Sequence, residues 1–375
     1  MAILSLSCSQ EGDFYLDLNM IPSITDDAST KKTLYPFAEV RAVSDLRVGI
    51  LTIREKWEKL LAPHAGNSIP DLKFPSNLVP SKEFVDLLVN HHIKNEEDFQ
   101  HPSVRLLKHP WQIIELNDWA IREDFKLLTT GKHSMPIPET VQSIKSTSIF
   151  IEEGARLEYC ILNASTGPIY IGKNAEVMEG SIIRGPFALG EGAIIKMGAK
   201  IYGATSIGPY SVAGGEIKNS MILGYSNKAH DGYLGDSVIG EWCNIGAGSS
   251  NSNLKNTATT VKVWHHPSNE YIDAGLKCGL MMGDYSRASI NTSFNTGTVV
   301  GVSANVFGTG LTPKYIRDFA WGTAGNEKLI CPSTLSITGP VKTSPSGKFS
   351  CPSQLIQVWP ATDMRTSVPL AETTW

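Results

Sequence analysis

The sequence predicts a parallel β-helix built from hexapeptide repeats, preceded by an α/β segment, and three observations carry that expectation. Ile171, Val177, Ile183, Leu189, Ile195, Ile201 and Ile207 are aliphatic residues at seven successive positions spaced by six. Leu276, Met282, Ala288, Phe294, Val300 and Val306 form a second run with the same spacing, and Ile239 and Ile245 a short third one. The residue after the aliphatic one is often Gly, as in Ile171-Gly172, Leu189-Gly190, Ile207-Gly208, Ile239-Gly240, Ile245-Gly246 and Val300-Gly301. A period of six fits neither a helical stripe nor strand alternation. It fits three-sided coils whose aliphatic residues point inward, with Gly expected to supply positive φ at the corners.

Residues 1–145 carry no such period and read as an α/β unit. Leu46, Ile50, Ile53, Trp57 and Leu60 recur at helical spacing from Asp45, with Ser44 or Asp45 as the expected cap. A second helix is expected over about Lys82 to Asn90 behind Ser81, and a third over about Trp111 to Phe125 after Pro110. Short β-type runs lie between them. Residues 146–310 then form the coils, each of which takes roughly 18 residues and stacks on the next about 4.8 Å away. The period breaks between Ile207 and Ile239 and again between Gly248 and Gly275. Loops thrown out of a solenoid are the expected place for function. Residues 311–375 read as an irregular extension: 20 of the last 45 residues are Ser, Thr or Pro, and the segment suits a loose or trimer-wrapping tail.

Composition narrows the partners. Charged residues make up 19% of the 375, the formal net charge is -4, and Lys and Arg are spread along the chain, which argues against nucleic acid or an anionic membrane. No apolar run approaches the length of a membrane span, and the Ile3 to Leu6 stretch is too short for a signal peptide. Cys8, Cys160, Cys243, Cys278, Cys331 and Cys351 lie far apart with no C-x-x-C pair, as expected of a cytoplasmic protein. The pairs His91-His92 and His265-His266 have no Cys or carboxylate at ligand spacing, so no metal site is expected.

Four segments carry a family resemblance: 169–193 (IYIGKNAEVMEGSIIRGPFALGEGA), 227–248 (NKAHDGYLGDSVIGEWCNIGAG), 251–256 (NSNLKN) and 294–308 (FNTGTVVGVSANVFG). They resemble the GlmU family, in which a sugar-phosphate nucleotidyltransferase domain precedes a left-handed β-helix acetyltransferase domain. The match is closest to a divergent branch of sugar nucleotidyltransferases, and Leu34-Tyr35-Pro36-Phe37 and 41–49 resemble that branch too.

The resemblance implies a mechanism. The family reads His, then Tyr three residues later, L-G-D and N-I-G-A-G. Here these are His230, Tyr233, Leu234-Gly235-Asp236 and 244–248. It implies that His230 is the general base on the amine of an amino-sugar 1-phosphate as that amine attacks acetyl-CoA, a task suited to imidazole at cellular pH. It implies sugar-phosphate contacts for Tyr233, Asn244 and Asn253, and Lys262 matches a Lys of archaeal-type relatives. A phosphate also calls for cations, for which Arg184, Lys196, Lys218 and Lys228 are candidates. Family members trimerise, so a homotrimer is expected. Nucleotidyl transfer from a nucleoside triphosphate, with Mg²⁺, is implied only if the amino-terminal domain is active, because the G-x-G-T-R loop that cradles phosphates is absent. The alternative is a trimeric nucleotide-sugar-binding or scaffold protein without catalysis.

Overall fold

The computed structural model describes residues 24–64, 72–323 and 328–329. The expectations for Ile3 to Leu6, for Cys8, Cys331 and Cys351 and for the Ser/Thr/Pro-rich tail lie outside the described residues.

The chain winds into a left-handed parallel β-helix whose three faces are sheets of six, nine and ten strands among the described residues. All seven residues of the first run point into the prism and join one hydrophobic cluster. On the six-stranded face the inward column reads Leu162, Ile183, Ile201, Ile217 and Leu234. Stacking like on like removes each aliphatic side chain from water against the coils above and below.

Three sequence expectations need correction. The first concerns the region from Ile207 to Ile239, which is not a loop thrown out of the solenoid. Coiling continues through Ala213, Ile217, Ile222, Lys228 and Leu234, with some sides shortened by a residue or two so that the period of six is lost while the stack is kept. The true excursion leaves after the strand Ser250–Asn251 and returns at Met281–Met282, and it carries the hairpin of Lys262–His265 and Glu270–Asp273. Leu276 belongs to that excursion and is 60% exposed, so the second inward run begins at Met282.

The second concerns the corner glycines. Positive φ falls two residues after them, at Asn174, Gly192, Tyr210, Trp242, Gly248 and Ser303. The glycines themselves are required by close approach: a Cβ at Gly208 would stand 2.0 Å from the Leu223 carbonyl oxygen of the next coil.

The third concerns the first long helix, which begins later than its apolar spacing suggests. Val43–Asp45 is a 3₁₀ turn, and Arg47–Val48 pairs antiparallel with Leu51–Thr52 around Gly49. Helix formation waits for Thr52, whose Oγ1 accepts from the Glu55 N–H (3.1 Å) while the Glu55 carboxylate accepts from the Thr52 N–H (2.7 Å). With α1 at Ala28–Thr33, the longer helices are α2 at Ile53–Leu61, α3 at Lys82–Val89 behind the Ser81 cap, and α4 at Gln112–Thr129.

Helices α2 to α4 lie on the outer side of the nine-stranded face. There the outward column reads Met221, Val238, Met281 and Val299. These residues are buried in one cluster with Trp57, Phe74 and Phe84. A solvent-facing column would be polar; this one is apolar because a second layer covers it. Coiling also runs past residue 310, since Tyr315–Ile316 pairs with Val299–Val300 and Asn305 pairs with Trp321.

Candidate functional site

His230 sits at a corner of the prism, between the strand Asn227–Lys228 of the ten-stranded face and Tyr233–Gly235 of the six-stranded face. The six- and ten-stranded faces meet there, away from the face that α2 to α4 cover. His230 and Asp231 are exposed. The neighbouring corners are built of small residues, Gly214-Gly215 in one adjacent coil and Gly246-Ala247-Gly248 in the other, and the imidazole stands exposed between them. Bulk is not tolerated there: a Cβ at Gly214 would lie 2.2 Å from the Ala229 carbonyl oxygen, and one at Gly232 2.1 Å from that of Ser249.

On the six-stranded face next to this corner, register places Lys200, Glu216 and Tyr233 in one outward column and Arg184, Tyr202 and Lys218 in the next. Lys218 and Arg184 thus share a face with Tyr233. The Lys218 ammonium lies 5.8 Å from the centre of the Tyr202 ring, and the Tyr202 hydroxyl donates to Glu216 (2.6 Å). That bond, followed by burial, pushes the Tyr202 phenol up to about 12.

Asn253, the third residue after the strand Ser250–Asn251 begins, folds back onto the same face. Its amide donates to the Tyr233 hydroxyl (3.1 Å) and to Asp236, which also accepts from Asn219 (2.7 Å). Burial, then the Asp236 charge, raises the Tyr233 phenol above its ordinary range. Asn251 holds the corner from beneath: its side chain accepts from the Gly235 N–H (2.8 Å) and donates to the Gly235 carbonyl (3.0 Å). Asp236, Asn219, Asn251, Glu216 and Tyr202 were not singled out by the sequence. Asp236 and Asn251 lay inside quoted segments; Asp236 is linked to Tyr233 through the Asn253 amide, and Asn251 bonds the backbone of Gly235.

The other expected residues are distributed differently. Asn244 lies on the ten-stranded face, paired with Asn227, around the corner from Tyr233. Lys196 stands one coil from Gly214, its Cβ 3.1 Å from where a Gly214 Cβ would be. Lys262 is exposed on the hairpin of the excursion, paired with Asp273. Lys228 is the exception to the expectation of surface cations. It takes the inward position between Ala213 and Ile245 and is 3% exposed, and its ammonium donates to the carbonyls of Gly214 (3.1 Å) and His230. Burial brings it down to about 8, opposed by the Asp231 charge.

A family model described as sugar nucleotidyl transferase matches residues 23–98. The bifunctional sugar-1-phosphate nucleotidylyltransferase/acetyltransferase of Sulfurisphaera tokodaii is 31% identical over 205 residues, which cover 53% of this chain and 43% of that protein. The bifunctional protein GlmU of Methanocaldococcus jannaschii is 36% identical over 86 residues, covering 23% and 21%. GlmU of Synechococcus elongatus is 23% identical over 242 residues, covering 58% and 49%. The chain spans less than half the length of each of these relatives. With a sugar nucleotidyl transferase match in the amino-terminal segment, a left-handed prism behind it and these relatives, the chain is similar, at low identity and over part of their length, to GlmU-type proteins.

Proposed function

We propose that the chain transfers an acetyl group from acetyl-CoA to the amine of an amino-sugar 1-phosphate, with His230 as general base. The observation that carries this reading is the exposed His230 at a glycine-lined corner, beside the Tyr233–Asn253–Asp236 network. In the proposed step the imidazole accepts a proton from the amine while the C–N bond forms at the thioester carbonyl. As the C–S bond breaks, the imidazolium returns that proton to the leaving sulfur. Tyr233 and Asn253 would meet the sugar hydroxyls. Lys218 and Arg184, on the same face, would neutralise the phosphate, with Lys196 and Lys262 as further cations. Asn244 would face whatever lies along the ten-stranded side. A homotrimer would bring a second prism to this corner.

Nucleotidyl transfer by the amino-terminal segment is the accompanying proposal, supported by the family model over residues 23–98. It would call for Mg²⁺. Such an ion would be held by one or two carboxylates together with the substrate phosphates; among the described residues no group of three or more His, Cys, Asp or Glu gathers, and no step is derived through the ion.

The test mixes the protein with acetyl-CoA and glucosamine 1-phosphate and follows free thiol, with His230→Ala as control. Thiol release that depends on both substrates and on His230 supports the reading. No release from the wild type across several amino-sugar phosphates favours a trimeric binding or scaffold protein. Two observations favour that alternative: residues 24–64 and 72–129 pack as a cover on the prism, and the sequence of this segment lacks the glycine-rich phosphate loop.

A further inference from the structure

Seven other positions in the inward column of the ten-stranded face hold an apolar residue: Leu157, Val177, Ile195, Ala213, Ile245, Ala288 and Val306. Lys228 is the one charged side chain in it among the described residues, and it lies two residues before His230. An amine is expensive to bury unless its donors are met, and replacing a buried ionic group by an apolar one of similar size is often neutral or stabilising. Packing alone therefore does not account for a lysine here.

Its hydrogen bonds do. One goes to the carbonyl of Gly214 in the adjacent coil and one to the carbonyl of His230 at the corner itself. The two carbonyls belong to successive corners, and Gly214 approaches the Ala229 carbonyl so closely that it has no room for a Cβ. We propose that Lys228 is a positioning residue, an internal strut whose ammonium pins the backbone of the His230 corner to the coil beneath it and so fixes where the imidazole stands. Its role for catalysis rests on the acetyl-transfer reading above; the strut itself does not. This also gives Lys228 a part that needs no contact with phosphate. An amine near its titration point serves the purpose, since neutral or charged it has at least two N–H donors for two carbonyls.

The test is amide hydrogen exchange and acetyl-transfer kinetics on the full chain with Lys228→Met, an apolar side chain of similar length, and Lys228→Gln, too short to reach both carbonyls. The strut predicts at least about tenfold faster exchange across 229–233 with the rest of the prism unchanged. It also predicts a kcat lower by about ten- to a hundredfold with KM for the sugar phosphate within about twofold, because misplacing a catalytic group costs turnover rather than binding. Melting of Lys228→Met at or above the wild-type temperature, together with that loss, separates positioning from stability. Unchanged exchange at 229–233 in either variant that folds overturns the proposal. If both variants fail to fold, Lys228 is a stability residue and the proposal is overturned as well. A wild type with no acetyl transfer sinks the catalytic reading alone, because exchange still reports the strut.

Discussion

Arg41 of the amino-terminal segment is held by Asp284 of the prism, 243 residues later in the chain, with both side chains buried and Glu241 adding a second ion pair at 2.9 Å. Asp284 also accepts from the Glu241 N–H (2.8 Å), so one carboxylate orients both the guanidinium and the coil that carries it. The opposite charge of Asp284 holds the Arg41 guanidinium in its charged form against the cost of burial. Removing one partner of such a pair leaves an uncompensated buried charge. Arg41→Ala is expected to lower stability by about 3–5 kcal/mol, read as a shifted midpoint in chemical denaturation. A midpoint within experimental error of the wild type would show that this contact does not fasten the two parts.

The apolar outward column predicts a different failure. Val238→Asp places a carboxylate between the prism and the amino-terminal cover, where no partner stands opposite it. Loss of more than about 4 kcal/mol is expected, with the segment 24–129 becoming sensitive to protease before the coils do. Equal resistance of both parts would mean that the cover does not depend on this face.

His230→Ala is expected to reduce acetyl transfer by about 10²–10⁴-fold while leaving the melting temperature unchanged, because the side chain is exposed. Thiol release is the readout, and activity retained within a few-fold would remove His230 from the chemistry.

Tyr233→Phe deletes the hydroxyl that accepts from Asn253 and leaves that amide its bond to Asp236. The expected result is a higher KM for the sugar phosphate with kcat changed much less, since the contact is one of ground-state binding. A drop in kcat with KM unchanged would place Tyr233 in the transition state instead.

Lys228 gives a pH dependence whose sign follows from its burial. The folded chain holds this amine at about 8, below its ordinary value near 10.5, so between those values the unfolded chain binds more protons. Stability from this group therefore rises as pH goes from about 8 towards 10.5, and the cost of the buried charge is present in full below 8. Melting curves of the wild type and Lys228→Met should converge, or their order reverse, as pH climbs through that window. A constant difference from pH 7 to pH 10.5 would contradict it.

What could be read from the sequence depended on how rigidly a rule ties residue to position. The period of six is such a rule, because each side of a coil repeats the same inward position, and Ile171 to Ile207 all point inward. It failed where a corner lost a residue, at Ile217, Ile222 and Ile239, since shortening a side changes spacing without changing the stack. The α3 boundary was legible because Ser81 stands directly before an apolar-periodic run; α2 was not, because Gly49 turns a hairpin inside a helical pattern. His230 and Tyr233 were singled out through their motif, and in the fold His230 precedes the strand that Tyr233 opens. Asp236 was read only as part of the L-G-D motif, because its bond from Asn253 depends on an excursion that folds back, which no local spacing encodes. The inward direction of Lys228 was also hidden: a lysine reads as a surface cation, and only the column from Ala213 to Ile245 shows otherwise.

The helices α2 to α4 occupy one whole flank of the prism, and this restricts how copies of the chain can meet. Contact between bare prisms through that flank is closed by the polypeptide's own cover, and the edge between the other two flanks is left open. That edge carries His230.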